Sequence, residues 1–288
     1  VTSDPTPSGS HRRPQLLPWR TAGRASEART SADDVVRETG WVFNNETGER
    51  LTLEEFVATG DTEVVAYLQT FGLYGDHTLT ETMVEIGAGI GRMTAGFTRT
   101  YHRVIACDLD AAFLERCRQT VARYGYVADL QTCHVADGRT LALPDAVADL
   151  TFSYITLQHC VRDDALALLD EAVRVTKPGG HVALNFRTWT GRDVLLWPLG
   201  AVTRLLWRLP RLGPWLARRR TATRLGWQAN RLAPQDVVDH VRAAGLPLGE
   251  LTVYQSSRRR RMQVGGAEVR SFEGAHPSHW WLVAVRRG

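Results

Sequence analysis

The sequence predicts an α/β protein in which a mostly parallel sheet is covered by helices on both faces. Three observations carry that reading. From residue 82 onward short apolar runs alternate with helical stretches of about a dozen residues. A glycine-rich bend lies where the first of these runs gives way to a helix. The chain has 288 residues, 43% of them hydrophobic and 23% charged, which is enough to bury a full core.

Strands are predicted at Met83–Ile86, Arg103–Cys107, Leu130–Val135, Leu150–Tyr154 and His181–Phe186, then, after a long segment, at Leu251–Tyr254 and Trp280–Val285. Helices fall at Arg92–Thr100, Ala111–Tyr124, Ala165–Val175 and Pro234–Ala244. Lys177-Pro178-Gly179-Gly180 reads as a tight turn into the fifth strand, since proline resists helix continuation and glycine accepts positive φ. Gly179 and Gly180 are expected to be turn residues without a chemical role. Ahead of the first strand, Leu53, Phe56, Val57, Val64, Leu68 and Phe71 recur at helical spacing, with a break at Gly60 and a new cap at Asp61, which predicts two helices. The organisation expected is a disordered arm at 1–35, poor in apolar periodicity and rich in Ser, Thr, Pro and Arg, a helical cap at 36–80, and a main domain at 81–288 with an insertion at about 190–232.

Composition excludes several classes. Lys177 is the only lysine, so 34 arginines carry the basic side, a bias that GC-rich codon usage produces without any ligand. A net charge of +4 does not call for nucleic acid. Cys107, Cys117, Cys133 and Cys160 form no C-x-x-C pair and lie in apolar segments, as packed, reduced thiols do, so neither a disulfide framework nor a metal site is expected. No apolar run is long enough to span a bilayer, and Leu16 and Leu17 beside Pro18 fall far short of a signal sequence; a cytoplasmic location is expected.

The most informative stretch is Val84-Glu85-Ile86-Gly87-Ala88-Gly89-Ile90-Gly91-Arg92. Glycines at alternate positions let backbone approach a ligand closely while a helix N-terminus offers free N–H groups. A dinucleotide loop, G-x-G-x-x-G, would place its third glycine at 92, where the chain has Arg92, so the spacing argues against NAD. Asp108 ends the second strand, in position to accept both hydroxyls of a ribose. Asp137 and Gly138 follow the third strand, where a carboxylate accepts from an adenine amino group and a backbone N–H donates to the ring.

These residues resemble the class I S-adenosylmethionine-dependent methyltransferases, in particular the small-molecule type related to ubiquinone and menaquinone methyltransferases. The resemblance covers roughly residues 80–190. Glu85, Gly87, Ala88, Gly89 and Gly91 match the first motif, in which backbone faces the methionyl part of S-adenosyl-L-methionine and the acid supports its ammonium. Asp108 matches the ribose-binding acid, Leu109 flanks the adenine, and Asp137 with Gly138 match the adenine-recognising pair. Tyr154 stands where the fourth strand opens onto the donor methyl. The resemblance implies a Rossmann-like sheet of seven strands with an antiparallel last strand, and a ligand in the crevice beyond the strands' carboxyl ends.

Methyl transfer from a sulfonium is an in-line displacement that needs alignment and exclusion of water rather than a metal. A hydroxyl acceptor gains from a general base, and His159, just past the fourth strand, is the candidate, with capping or packing of the next helix as its structural alternative. His134 reads as a structural strand residue; His102, His276 and His279 carry no motif. Asp110 reads as a helix N-cap, Asp149 as a strand-edge residue, and Asp163 and Asp164 as acids favoured by a helix dipole. Trp41 and Phe43 are expected to fold over the cofactor or to pack in the core.

The long insertion should carry its own structure. Pro198 is expected to start a helix and Pro210 to stop it, with Leu199, Val202 and Leu206 on one side and Arg204, Arg208 and Arg211 on the other. No acid occurs from Val194 to Gln235, while Trp197, Trp207, Trp215 and Trp227 do. Such a lid suits an anionic or lipidic acceptor or a membrane interface, and equally a helical cap with arginines in water. Arg258–Arg261 reads as a solvated loop, without a nucleic-acid motif. The function expected is methylation of a small molecule, with O-methylation of a secondary metabolite or sugar drawn from the breadth of the family. The alternatives are a non-methylating reaction of the same cofactor, such as a cyclisation, and a membrane- or nucleic-acid-associated binding protein using the Arg/Trp-rich segment.

Overall fold

The structure is a computed structural model that describes residues 16–29, 31–43, 51–217, 219, 225–226, 229–259, 261–273 and 276–288, with the side chains of Trp41 and Arg192 outside the description. In chain order the elements are α1 (Leu17–Ala28), α2 (Ala32–Phe43), α3 (Leu53–Phe71), β1 (Thr82–Ile86), α4 (Thr94–Thr98), β2 (Arg103–Asp108), α5 (Ala111–Tyr124), β3 (Leu130–His134), β4 (Ala148–Ser153), α6 (Arg162–Val175), β5 (Thr176–Arg187), α7 (Gly191–Leu206), α8 (Leu212–Ala217), α9 (Pro234–Ala243), β6 (Leu248–Ser256), β7 (Glu268–Phe272) and β8 (His279–Arg286).

One sheet runs in the order β3-β2-β1-β4-β5-β8-β6-β7. β1 to β5 are parallel, and β8 inserts antiparallel between β5 and β6, pairing Leu184 with Leu282 and Phe186 with Trp280. The sheet therefore has eight strands rather than seven. The added strand is β7, parallel to β6 at the outer edge; its five residues, Glu-Val-Arg-Ser-Phe, bury only Val269, too little apolar content to announce a strand. Successive residues of a strand point to opposite faces, and β8 shows what that achieves. Trp280 stacks on Phe186 in the face covered by α6 and α9, while Trp281 stacks on Tyr154 in the face covered by α3 and α4.

Three expectations are corrected. The arm expected to be disordered to residue 35 contains α1 and the start of α2; residues 1–15 lie outside the described residues. α1 buries Pro18, Ala22, Gly23, Ala25 and Ser26 at helical spacing and packs on α2, α5 and α8. Its buried face is made of small residues, so the usual apolar signal is missing although the period is there. α3 is one helix rather than two. Its cap is Thr52, which accepts from the Glu55 amide at 3.2 Å while Glu55 accepts from the Thr52 amide at 2.8 Å, and Asp61 pairs with Arg99 instead of capping. Gly60 sits inside it because the carbonyl of Arg92 crosses against it. Lys177–Gly180 is a bulge within β5 rather than a turn before it: the pairing with β4 passes from Ala148↔Thr176 to Leu150↔His181, with Gly179 at φ 82°.

Gly60 gives the crossing a test. Alanine normally stabilises a helix by about 1 kcal/mol over glycine. Here an added Cβ collides with backbone, so Gly60→Ala should cost about 1–3 kcal/mol and lower the thermal midpoint by several degrees. A raised midpoint would contradict the close crossing.

Candidate functional site

The glycine bend is a consequence of how β1 ends. The amides of Gly87 and Ala88 both donate to the carbonyl of Cys107, at 2.8 and 3.0 Å, so the chain leaves β1 still tied to β2 and then turns. Gly87 and Gly89 hold φ of 84° and 56°, the left-handed region that glycine enters freely. The Thr156 side chain occupies the volume where a Cβ of Gly87 would lie, and the ring of Phe43 stands 3.1 Å from that of Gly89.

Asp108 closes the bend. Its Oδ2 accepts from the Gly89 amide at 2.8 Å and its Oδ1 from the Asp110 amide at 2.9 Å; Asp110 caps α5 by accepting from Ala112 at 3.0 Å, as its expected role requires. Burial, against the pull of these two amides, pushes the Asp108 carboxyl up to about 6. Glu85 lies beneath the bend, 5% exposed, accepting from the Thr94 hydroxyl at 2.6 Å. Burial pushes it up to about 7, against the Thr94 hydrogen bond and the Arg92 guanidinium.

A cavity opens above these groups at the carboxyl ends of the strands, where open α/β sheets bind ligands. Its lining includes Glu85, Gly87, Ala88, Gly89, Asp108, Leu109, Gly138, Tyr154 and His159, all expected from the sequence. Gly91 and Asp137, also expected, stand outside that lining. A Cβ on Gly91 would stand 3.1 Å from the backbone of Cys117, so glycine there allows α5 to approach. Asp137 is exposed and folds onto its own turn, accepting from the amides of Arg139 and Thr140 at 2.9 and 2.8 Å. Leu16 and Trp19 of the N-terminal segment, with Phe43 and Phe56, complete the wall. Phe43 thus takes its expected place; the Trp41 side chain lies outside the described residues.

The far wall is a loop held under strain. Ile155 has φ 59°, and its amide donates to Asn185 Oδ1 at 3.3 Å. Asn185 Nδ2 donates to the Trp280 carbonyl, which leaves Oδ1 as the acceptor for His279 Nδ1 at 3.1 Å. His279 is therefore protonated on Nδ1; burial, then Arg187 and His276, push it down to about 3, so it stays neutral. The next turn, Leu157–His159, carries the His159 ring into the cavity, edge-on to Trp19 at 4.8 Å, with Nε2 3.3 Å from Gln158 Nε2. Asn230, at the end of the insertion, brackets that turn by donating to the carbonyls of Leu157 and Cys160 at 2.6 and 2.8 Å.

The sequence reading missed Leu16, Trp19, Thr156, Asn185, Asn230 and His279. Only Asn185 left a usable trace, a polar residue inside the apolar run Val-Ala-Leu-Asn-Phe. Arg259 donates to the carbonyls of Pro277 and Trp189 and Arg261 to that of Val269, so part of the arginine run ties loops together rather than only facing water; Arg260 lies outside the described residues.

Known proteins resemble this chain in sequence and in fold. Residues 84–184 match a family described as methyltransferase domain. Over 108 residues the chain is 34% identical to a carboxy-S-adenosyl-L-methionine synthase of Pseudomonas putida, covering 36% of this chain and 44% of that protein. Over 105 residues it is 32% identical to a malonyl-[acyl-carrier protein] O-methyltransferase of Serratia marcescens, covering 36% and 38%. The chain thus spans less than half the length of these curated relatives. Its fold is similar to that of magnesium protoporphyrin IX methyltransferase from Synechocystis PCC 6803, solved with S-adenosylhomocysteine bound, with a TM-score of 0.52, 14% identity and coverage of 88% of this chain and 97% of that one. The chain carries a class I S-adenosylmethionine-dependent methyltransferase domain, and S-adenosyl-L-methionine is the cofactor of that domain.

The cavity fits that cofactor. The bend offers a side-chain-free surface beside two carboxylates, Glu85 and Asp108. Glu85 would face the ammonium, and the remaining lone pairs of Asp108 would accept from the ribose hydroxyls.

Both carboxyls are raised by burial, so the folded chain holds more protons than the unfolded one between about pH 4 and 7, and they lower the stability of the unliganded protein as pH rises through that window. A ligand that sets an ammonium group beside Glu85 favours the ionised form. Affinity for S-adenosylhomocysteine, measured by calorimetry, should therefore rise from pH 5.5 to pH 8 by about tenfold or more, with proton release near pH 6.5. A flat profile would contradict the assignment.

Proposed function

We propose that the chain moves the methyl group of S-adenosyl-L-methionine onto an oxygen of a small-molecule acceptor, with His159 as general base. The observation that supports this reading best is that His159 shares one cavity with Glu85, Asp108 and the glycine bend. The cofactor supplies an electrophilic methyl group. The chain's own residues fix its two ends, exclude water with Trp19, Phe43 and Phe56, and hold an imidazole where an acceptor hydroxyl can lose its proton. Asn230 and Asn185 are positioning residues: one fixes the His159 turn, the other the strained Ile155 beside it. A secondary metabolite or a sugar fits the size of the insertion, and a cytoplasmic site fits a reaction that consumes this cofactor.

A second reading, in which the cofactor itself is modified, draws support from the 34% identity to carboxy-S-adenosyl-L-methionine synthases. Mass analysis separates them. Incubation with labelled cofactor and candidate alcohols, phenols and sugars should produce S-adenosylhomocysteine and an acceptor heavier by one methyl group. A mass change on the cofactor with no methylated acceptor would favour the second reading.

Two substitutions test the assigned roles. Asp108→Ala should weaken S-adenosylhomocysteine binding by about 10- to 100-fold in calorimetry, the worth of a charged hydrogen bond of about 1.5–3 kcal/mol. His159→Ala should lower kcat by about 10²- to 10⁴-fold while binding of the same ligand changes little. Full activity of the His159 variant would reduce that residue to packing.

A further inference from the structure

α7 wears its apolar side outward. At 100° per residue, Val194, Leu195, Leu199, Val202 and Leu205 fall on one face, and they are between 52% and 79% exposed. The opposite face meets the rest of the insertion through small residues and one tryptophan: Gly200 lies against the backbone of Leu225, and buried Trp207 fits between Gly213 and Gly226. A surface helix ordinarily buries its leucines. The sequence predicted a helix started by Pro198, with a core-facing and a lipid-facing apolar side left as equal alternatives; α7 instead starts at Gly191 behind the cap Thr190, keeps Pro198 inside, and turns its leucines outward.

The segment that carries the stripe has one sign of charge. Eight arginines and no acid lie in sequence between Val194 and Gln235, Arg218, Arg220 and Arg224 falling outside the described residues. Arg208 and Arg211 are exposed beside the stripe, and Arg219 lies 5.0 Å over the ring of Trp215. Trp197 and Trp215, 52% and 53% exposed, stand at its edges. Apolar centre, tryptophan edge and guanidinium rim match, in that order, the acyl chains, the interfacial level and the phosphates of a lipid leaflet. A second copy of the chain would bring two cationic rims together, and a nucleic acid would find no hydrogen-bonding group along the stripe. α7 has 16 residues, about 24 Å, interrupted by Pro198, and among the described residues no helix is long and apolar enough to cross a membrane, so it would lie in the interface.

We propose that the outward face of α7, with its arginine rim, seats the protein in the headgroup and upper acyl region of an anionic lipid bilayer. The seat adjoins the cavity. α8 packs on α1, which contributes Trp19 to the cavity wall, and Asp193 in the first turn of α7 binds Arg187 of β5 at 3.0 Å. An amphiphilic acceptor held in the leaflet would meet the cavity from this side.

Co-sedimentation of the full chain with vesicles tests the seat without any cofactor, and so stands or falls apart from the methyl-transfer reading. At about 0.15 M salt the chain should sediment with phosphatidylcholine vesicles containing phosphatidylglycerol and several-fold less with phosphatidylcholine alone. Leu195→Gln with Leu205→Gln should reduce binding about tenfold or more, and Arg208→Gln with Arg211→Gln should reduce it only on the anionic vesicles. Unchanged affinity for S-adenosylhomocysteine shows that the variants are folded. No sedimentation of the parent chain with anionic vesicles, undiminished binding by the leucine variant, or a dimer in light scattering that the leucine variant dissolves would each overturn the proposal.

Discussion

The structure depends on one carboxylate. Asp108 reaches from the end of β2 to the Gly89 amide and holds the Asp110 amide with its other oxygen, so a single half-buried group joins the glycine bend, the strand beside it and the cap of α5. Leaving those amides unpaired in an enclosed site would cost about 1–3 kcal/mol each, and leaving the carboxylate without them would cost more. The bend is therefore shaped in the absence of any ligand. Partial burial sets its electrostatics, because a carboxylate raised to about 6 against the pull of those two amides favours a ligand that brings hydroxyl donors and positive charge.

The other wall of the cavity is held from a distance. Asn185 pins the strained Ile155 from β5, and Asn230 grips the His159 turn from the end of the insertion. The insertion is thus part of the machinery that places His159, as well as a cover for it. Through Asp193 it is anchored to Arg187 and Arg231 at its start, and through the Trp280 indole, which donates to the Leu232 carbonyl at 2.9 Å, it is anchored to β8 at its end. Whatever engages α7 acts on an element fixed at both ends to the site.

Much of this was legible in the residues. Wherever a signal is local and periodic, as in the apolar strands β1, β2 and β5 or in α5, whose limits coincide with Ala111–Tyr124, the pattern located the element. The glycine spacing and Asp108 located the cavity, because close backbone approach and a strand-end carboxylate leave few alternatives. Failures came where the deciding contact is distant or unusual. Gly60 looks like a break in a helix until Arg92 is seen crossing it. α1 packs through alanine, glycine and serine, so it lacked the bulk that marks a buried face. β7 carries too few apolar residues to be recognised alone. Gly91 and Asp137 belong to the motif pattern and also serve helix approach and a local turn, two uses that spacing does not separate. Asn230 acts on a turn some seventy residues earlier in the chain, a pairing that only the fold reveals.

The central claim is that the space bounded by Gly87, Gly89 and Asp108 is the seat of an adenosyl amino acid. A crystal structure of the chain grown with S-adenosylhomocysteine tests it most directly. The account predicts the ribose hydroxyls on Asp108, the amino group toward Glu85 and the sulfur on the side of Tyr154 and His159. Clear density for the ligand in any other part of the molecule, or a ligand in this cavity with its ribose turned away from Asp108, would contradict it.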